Sequence, residues 1–318
     1  MRVLFVTDLH SSTLVLQKAL LATKEFRTDL LIIGGDLSGK RVIPILQEAD
    51  GSFLALEPLQ RSGIEGVSQV DPKAVKIPEN KLKEYQTYLE NKGLFWKMTD
   101  TSEIEAYNRN PEAGRLLGDR FAMERMLLWA EIVNSKLPDG VSCVWTGGND
   151  DGSNLLAELT KSDLGRFQYV EGKQFKIGSY TLLSMGFSNI TPFETSRELS
   201  EIDLNAKLEE MADGISTFER VILNVHVPPS ECGRLDLCPD LHDPNKLMHV
   251  GSTAVRSFIA RHQPLADFAG HIHEGQGTAK IDRTQIFNPG SDYFAGILQG
   301  FVVRFAGSEV AEYVHIVR

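Results

Sequence analysis

Six short apolar runs constrain this chain more than any other feature. They are VLFV (3–6), LLIIG (30–34), VSCVW (141–145), TLLSMG (181–186), VILNV (221–225) and LADFAG (265–270). Several are apolar without a break, which suits strands covered on both faces rather than strands with one wet face. Helical patterns lie between them. LVLQKALLATKEF follows Ser11 and Ser12, either of which can cap it. Residues 120–136, RFAMERMLLWAEIVNSK, keep a helical period, and residues 252–262, STAVRSFIARH, open on a capping serine. Strands alternating with helices predict an α/β framework.

Two regions depart from that rhythm. Residues 277–287, 300–305 and 309–317 read as short strands joined by tight turns, and 167–186 reads as hairpin strands. Antiparallel strands are therefore expected beside the α/β core. Residues 41–115 carry many charges, Pro44, Pro58, Pro72, Pro78 and Pro111, and helical pieces such as LKEYQTYLEN. Tyr85, Tyr88, Phe95, Trp96 and Tyr107 argue for packing there, because disordered segments are poor in aromatics. The expectation is a single domain over 1–318, with an inserted, mostly helical subdomain or lid at 41–115.

Charge and composition narrow the partners. The 318 residues carry a net charge of −10, which disfavours a nucleic-acid backbone. No apolar run nears the ~20 residues of a membrane helix. MRVLFVTDLH soon turns polar and reads as a first buried strand, not a signal peptide. Cys143, Cys232 and Cys238 make no disulfide framework, so a reducing cytoplasm is the expected compartment. Cys232 and Cys238 are also spaced wrongly for a zinc knuckle and read as loop residues. Nothing sets the oligomeric state, and a homo-oligomer stays open.

Polar groups collect just past the strands. Asp8 and His10 follow the first, Asp36 the second, and Asn149, Asp150 and Asp151 the third. His226 follows VILNV, and His271 and His273 follow LADFAG. Open α/β sheets bind ligands beyond the carboxyl ends of their strands. In extended chain alternate side chains share a side, which would aim Asp8 with His10 and His271 with His273. Gly35, Gly148 and Gly270 each precede a candidate and leave room where backbone approaches a crowded centre. Asp, His and Asn together suit Mn²⁺, Fe, Zn²⁺ or Ni²⁺ better than Ca²⁺. Asp36 is the natural bridge between two such cations, which roughly 3.5–4 Å apart both polarise a phosphoryl group and generate hydroxide.

The ordered motifs are D-x-H (Asp8, His10), G-D (Gly35, Asp36), G-N-x-D (Gly148, Asn149, Asp151), H-x-P-P (His226, Pro228, Pro229) and G-H-x-H (Gly270, His271, His273). In this order they resemble the calcineurin-like metallophosphoesterases, and Asn288-Pro289-Gly290-Ser291 resembles that family's following turn. The resemblance runs from residue 3 to about 291 and skips the insert. It implies a four-layer αββα sandwich of two mixed sheets. It implies one metal held by Asp8, His10, Asp36 and His273, and a second held by Asp36, Asn149, His226 and His271. It also implies in-line attack on a small phosphoester by a hydroxide bridging the two.

One position breaks the pattern. Asp150 stands where the family usually has a histidine that protonates the leaving group or holds phosphate. An ionised Asp150 repels a dianionic monoester more than a monoanionic diester. Phosphodiesters, or esters with good leaving groups, are therefore the expected substrates. A substitute acid is expected from the loop after His226, from His249 or His242, with Arg234 gripping phosphate. Asp151 either orients a ligand or caps a helix at 152–161. Thr191-Pro192-Phe193 either reaches the edge of the site or is a plain turn. The competing readings are a non-catalytic binding or scaffold module on the same fold, a DNA-end nuclease, and a two-metal hydrolase of another bond. The acidic balance and the lack of a basic-aromatic groove lower the nuclease.

Overall fold

The apolar runs divide between two six-stranded sheets. In the computed structural model, which describes residues 1–39, 41–56, 68–71, 73–243 and 245–318, the first sheet has six strands. In spatial order these are Glu309–Val317, Gln299–Ala306, Arg2–Val6, Leu30–Ile33, Ser142–Trp145 and Phe167–Tyr169. The second runs Gln174–Ile177, Tyr180–Met185, Val221–Val225, Ala266–Phe268, Thr284–Asn288 and Gly277–Ile281. Parallel pairing dominates inside each sheet, and antiparallel strands finish the edges.

Continuous apolar runs follow from burial on both faces. Val3, Phe5, Ile32 and Val144 point inward and pack on Leu182, Ile222, Phe268 and Phe287 of the other sheet. The alternate residues Leu4, Val6, Leu31 and Ile33 point outward under helices Thr13–Glu25 and Pro111–Lys136. Helices Glu201–Ala212 and Thr253–His262 cover the outer face of the second sheet. The layers are therefore α, β, β, α, as expected. Ser12 and Ser252 cap their helices, accepting from the amides of Val15 and Val255.

Residues 41–115 correct the expectation of a mostly helical insert. Strands Val42–Gln47, Phe53–Leu56, Ser68–Asp71, Ala74–Ile77 and Phe95–Thr99 form a five-stranded sheet. It has its own core of Ile43, Ile45, Phe53, Val75 and Ile77, against which Tyr85 and Leu89 of helix Leu82–Asn91 pack. The strands are short, and their charges and prolines hid the two-residue period. Pro44 is tolerated because, among the described residues, its strand at that point pairs only with Phe95–Thr99. Residue 115 is not a boundary either. It lies inside helix Pro111–Lys136, which starts with Pro111 and an Asn110 cap and belongs to the cover of the first sheet. Pro58 and Pro72 lie outside the described residues.

One acidic side chain inside the second sheet carries a stability consequence. Asp267 is fully buried and neither carboxylate oxygen makes a well-formed hydrogen bond. Burial pushes its pKa up to about 8, against a weak opposing pull from the Val225 backbone. Between the ordinary carboxylate range and about 8 the folded protein keeps a proton that the unfolded chain gives up. Stability from this group is therefore lost as pH rises through that window, by on the order of a few kcal/mol. Asp267→Asn should flatten that decline between pH 5 and pH 8 in urea denaturation. An unchanged pH slope in the variant would overturn the assignment.

Candidate metal centre

The carboxyl ends of five parallel strands from both sheets open onto one edge, and each passes directly into a tight loop. The expectation that Asp8 and His10 align by strand alternation is corrected here. The strand ends at Val6, and Asp8, His10, Asp36 and His271 all adopt left-handed backbone, with φ of 53°, 41°, 48° and 66°. Each such residue costs on the order of 1 kcal/mol or more and persists only where its surroundings fix it. Here they do. The amides of Asp8, His10 and Ser11 donate to the carbonyls of Gly35, Asp36 and Leu37, so the first two loops zip together. Ser291 Oγ donates to the Asp8 carbonyl, and Asn288 Nδ2 donates to those of Gly270 and Ile272. Glycine is required at two places. A Cβ on Gly148 would stand 2.1 Å from Asp36 Oδ1, and one on Gly35, at φ +113°, would stand 2.5 Å from His226 Nδ1.

These loops bring Asp8, His10, Asp36, Asn149, His226, His271 and His273 together. His10 Nε2 is 3.3 Å from His273 Nε2 and 3.8 Å from Asp36 Oδ2. His273 Nε2 is 3.4 Å from Asp8 Oδ1. Beside this group, Asn149 Oδ1 lies 3.0 Å from His226 Nε2 and 2.8 Å from His271 Nδ1. Asp36 Oδ2 lies 3.4 Å from His226 Nε2, so it borders both groups. Ligands about 2.1 Å from one cation sit about 3.0–3.4 Å from each other. The observed separations and the mixed nitrogen and oxygen donors fit divalent metal ions. Asp8, His10 and His273, and likewise Asp8, Asp36 and His226, each place their donor atoms within 4.8 Å of one another.

The electrostatics describe a buried cluster of carboxylates and imidazoles. Burial works against a charged His226, but Asp36 and Asp8 outweigh it and raise its pKa to about 10. Burial would raise Asp36, yet His226 and His10 hold it well below the usual carboxylate range. Asp8 is likewise lowered against its burial, by His273 and His226. His271 is pushed down to about 4 by burial and by the neighbouring His226 charge. The lone pairs that share protons here are those a cation would take. His226 Nδ1 faces the Gly34 carbonyl at 2.9 Å, which keeps its proton on that side and turns Nε2 to the centre.

Supporting residues surround the donors. The Asp151 carboxylate accepts from the amides of Leu37, Ser38 and Gly148 and gives no cap to helix Ser153–Leu159, so it braces two of the loops. Asp150 offers a carboxylate oxygen within 4.8 Å of His10 and Asp36 donor atoms, and its amide donates to Asp36 Oδ1 at 2.9 Å. Asn149 Nδ2 donates to Thr195 Oγ1 at 2.9 Å, which orients the amide so that Oδ1 faces the histidines.

The structure does not gather every expected residue. His249 bonds Asp236 Oδ1 through Nδ1 at 2.9 Å and does not line the cleft beside the centre. His242 does line it, with His271 and His273. Arg234 is exposed and does not line it. Thr191, Pro192 and Phe193 do reach the edge of the site. Cys232 is buried in a loop as expected, Cys238 is half-buried in strand Leu237–Pro239 instead, and neither belongs to a cluster of metal-capable side chains among the described residues.

Sequence reasoning missed two features. Glu171 and Arg197 form a buried ion pair behind the third loop. Arg197 also donates to the Gly148 carbonyl at 3.0 Å, and Glu171 accepts from Thr146, Gly147 and Tyr169. Tyr293 packs its ring 4.6 Å from the His10 ring and 6.0 Å from that of His273. Its only sequence signal was its place just after Asn288-Pro289-Gly290-Ser291.

No family model matches the chain. An uncharacterized protein of Methanocaldococcus jannaschii, MJ1162, is 29% identical over 157 residues, 49% of this chain. The match spans 66% of that protein, just under two thirds of its length. One solved crystal structure, 14% identical, superposes with a TM-score of 0.57 and covers 100% of this chain and 98% of its own, which shows a shared fold. A dimetal phosphatase from Danio rerio is 11% identical and covers 99% of this chain and 98% of its own. Its TM-score of 0.47 is too low for the superposition to bear on function.

Proposed function

We propose that this chain is a metal-dependent phosphoesterase that prefers phosphodiesters. The observation that carries this reading is the convergence of two overlapping donor groups on Asp36. Asp8, His10, Asp36 and His273 would hold one divalent cation, and Asp36, Asn149, His226 and His271 a second. Two such ions, when bound, polarise phosphoryl oxygens and make water a nucleophile at neutral pH.

The chain's own residues do the positioning. Gly34 fixes the ring of His226, Thr195 turns Asn149, and Asp151 braces the loops that carry Asp36 and Asn149. Asp150 puts a carboxylate beside His10 and Asp36. In its ionised form it would oppose a dianionic monoester more than a monoanionic diester. Among the described residues no lysine or arginine lines the adjoining cleft to offset it. His242 lines the cleft and His249 does not, which favours His242 as the proton donor. Arg234 is exposed and does not line the cleft, so it takes no part in this reading.

The test compares bis-p-nitrophenyl phosphate with p-nitrophenyl phosphate in the presence of Mn²⁺. The diester should turn over faster. Asp150→His should then raise monoester turnover at least tenfold relative to diester, since a well-placed acid contributes roughly 10²–10⁴-fold. A monoester preference in the unmodified protein would sink the diester reading, and so would an unchanged ratio in the variant.

A further inference from the structure

A cleft of about 570 Å³ opens directly from His271 and His273, within the size range of small-molecule sites. One wall is Ile190, Pro192 and Phe193, and the other is Cys238, Leu241 and Met248. Ile190 is 69% exposed, Phe193 70%, Leu241 60% and Met248 41%. Single exposed apolar residues are ordinary, but several facing one another across a cleft mark a binding surface.

The walls are built parts of the fold. The Glu198 carboxylate accepts from the amides and hydroxyls of Thr191 and Thr195, which fixes the loop that carries Pro192 and Phe193. Thr195 in turn accepts from Asn149 Nδ2, so this wall is tied to the metal centre by a chain of hydrogen bonds. The other wall is the ribbon of Leu237–Pro239 paired with Leu247–His249. Its opposed residues Cys238 and Met248 line the cleft, while His249 anchors the ribbon to Asp236. Asn189 Nδ2 donates to the Val250 carbonyl at 3.2 Å and links the two walls.

The charge pattern selects the occupant. Among the described residues the carboxylates that line it are Asp240 and Glu274, and no lysine or arginine joins them. A second phosphate, a carboxylate or a continuing nucleic-acid strand would meet repulsion from these two carboxylates. An uncharged apolar group would lose water against Ile190, Phe193 and Met248.

We propose that this cleft binds an apolar, uncharged ester group of the substrate, so that the preferred diesters carry an alkyl or aryl group on the phosphate held at the metal centre. This rests on the phosphodiesterase reading. The test uses the Mn²⁺-loaded full chain and a series of alkyl p-nitrophenyl phosphates. Each fully buried methylene is worth about fourfold in affinity. The kcat/KM for the butyl ester should therefore exceed that for the methyl ester at least tenfold, and Met248→Asp or Ile190→Asp should collapse the preference.

Equal turnover of methyl and butyl esters would overturn the proposal while leaving the phosphodiesterase reading intact. A nucleoside ester preferred over the butyl ester would also overturn it. If no ester is hydrolysed, calorimetry decides. Butylphosphonate binding tighter than methylphosphonate supports the cleft, and equal or absent binding overturns it. An effect of Met248→Asp confined to sedimentation would make this face an interface between copies, and would also overturn the proposal.

Discussion

Asp36→Ala should cut metal-dependent phosphodiester hydrolysis by three orders of magnitude or more. Its carboxylate borders both donor groups. Its Oδ2 lies 3.8 Å from His10 Nε2 and 3.4 Å from His226 Nε2, and its Oδ1 accepts from the Asp150 amide. If two cations bind as proposed, removing it would take a carboxylate from both and strip the charge that screens their mutual repulsion. Loss of a few kcal/mol of electrostatic stabilisation in a buried centre corresponds to roughly a thousandfold in rate. Steady-state hydrolysis of bis-p-nitrophenyl phosphate with saturating Mn²⁺ reads the effect, and a urea midpoint confirms that the variant is folded. A folded variant retaining more than a tenth of the activity would contradict the shared-ligand assignment.

The second large effect is on stability. Arg197→Met should destabilise the fold by about 3–5 kcal/mol, the range for removing one partner of a buried ion pair. Arg197 and Glu171 are 4% and 8% exposed, and Glu171 would be left charged among the amides of Gly147 and Gly186. The Gly148 carbonyl would also lose its donor. The double variant Arg197→Met, Glu171→Gln should recover part of the loss, because no orphaned charge remains. Urea denaturation measures both. A loss below about 1 kcal/mol for the single change would mean that water or relaxation replaces the pair.

The two features were not equally legible in the sequence. Each donor side chain sits within a few residues of the end of an apolar run, so Asp8, His10, Asp36, Asn149, His226, His271 and His273 could be read locally. Why they converge could not. Alternation along a strand suggested the right neighbours, but left-handed backbone at Asp8, His10, Asp36 and His271 does the aiming. That conformation depends on loops from distant positions locking one another. Glu171 and Arg197 were invisible for the same reason, since they lie far apart in the chain and in polar stretches. The α/β framework was legible because burial on two faces leaves unbroken apolar runs, whereas the four layers were implied only by the family resemblance. The five-stranded sheet of the insert was not, because its strands are short and interrupted by charges. His249 shows the limit of reading by proximity. Its strand follows a metal-capable residue in the chain, yet pairing in the ribbon turns it to Asp236.

If this cluster binds metal and hydrolyses phosphoesters, activity should follow metal content. The measurement strips the protein with chelator and returns Mn²⁺ in measured equivalents while following bis-p-nitrophenyl phosphate hydrolysis. No activity without metal, rising to a plateau near two equivalents per chain, is the expected result. No release of nitrophenol at any metal ratio, from a protein shown to be folded, would contradict the account.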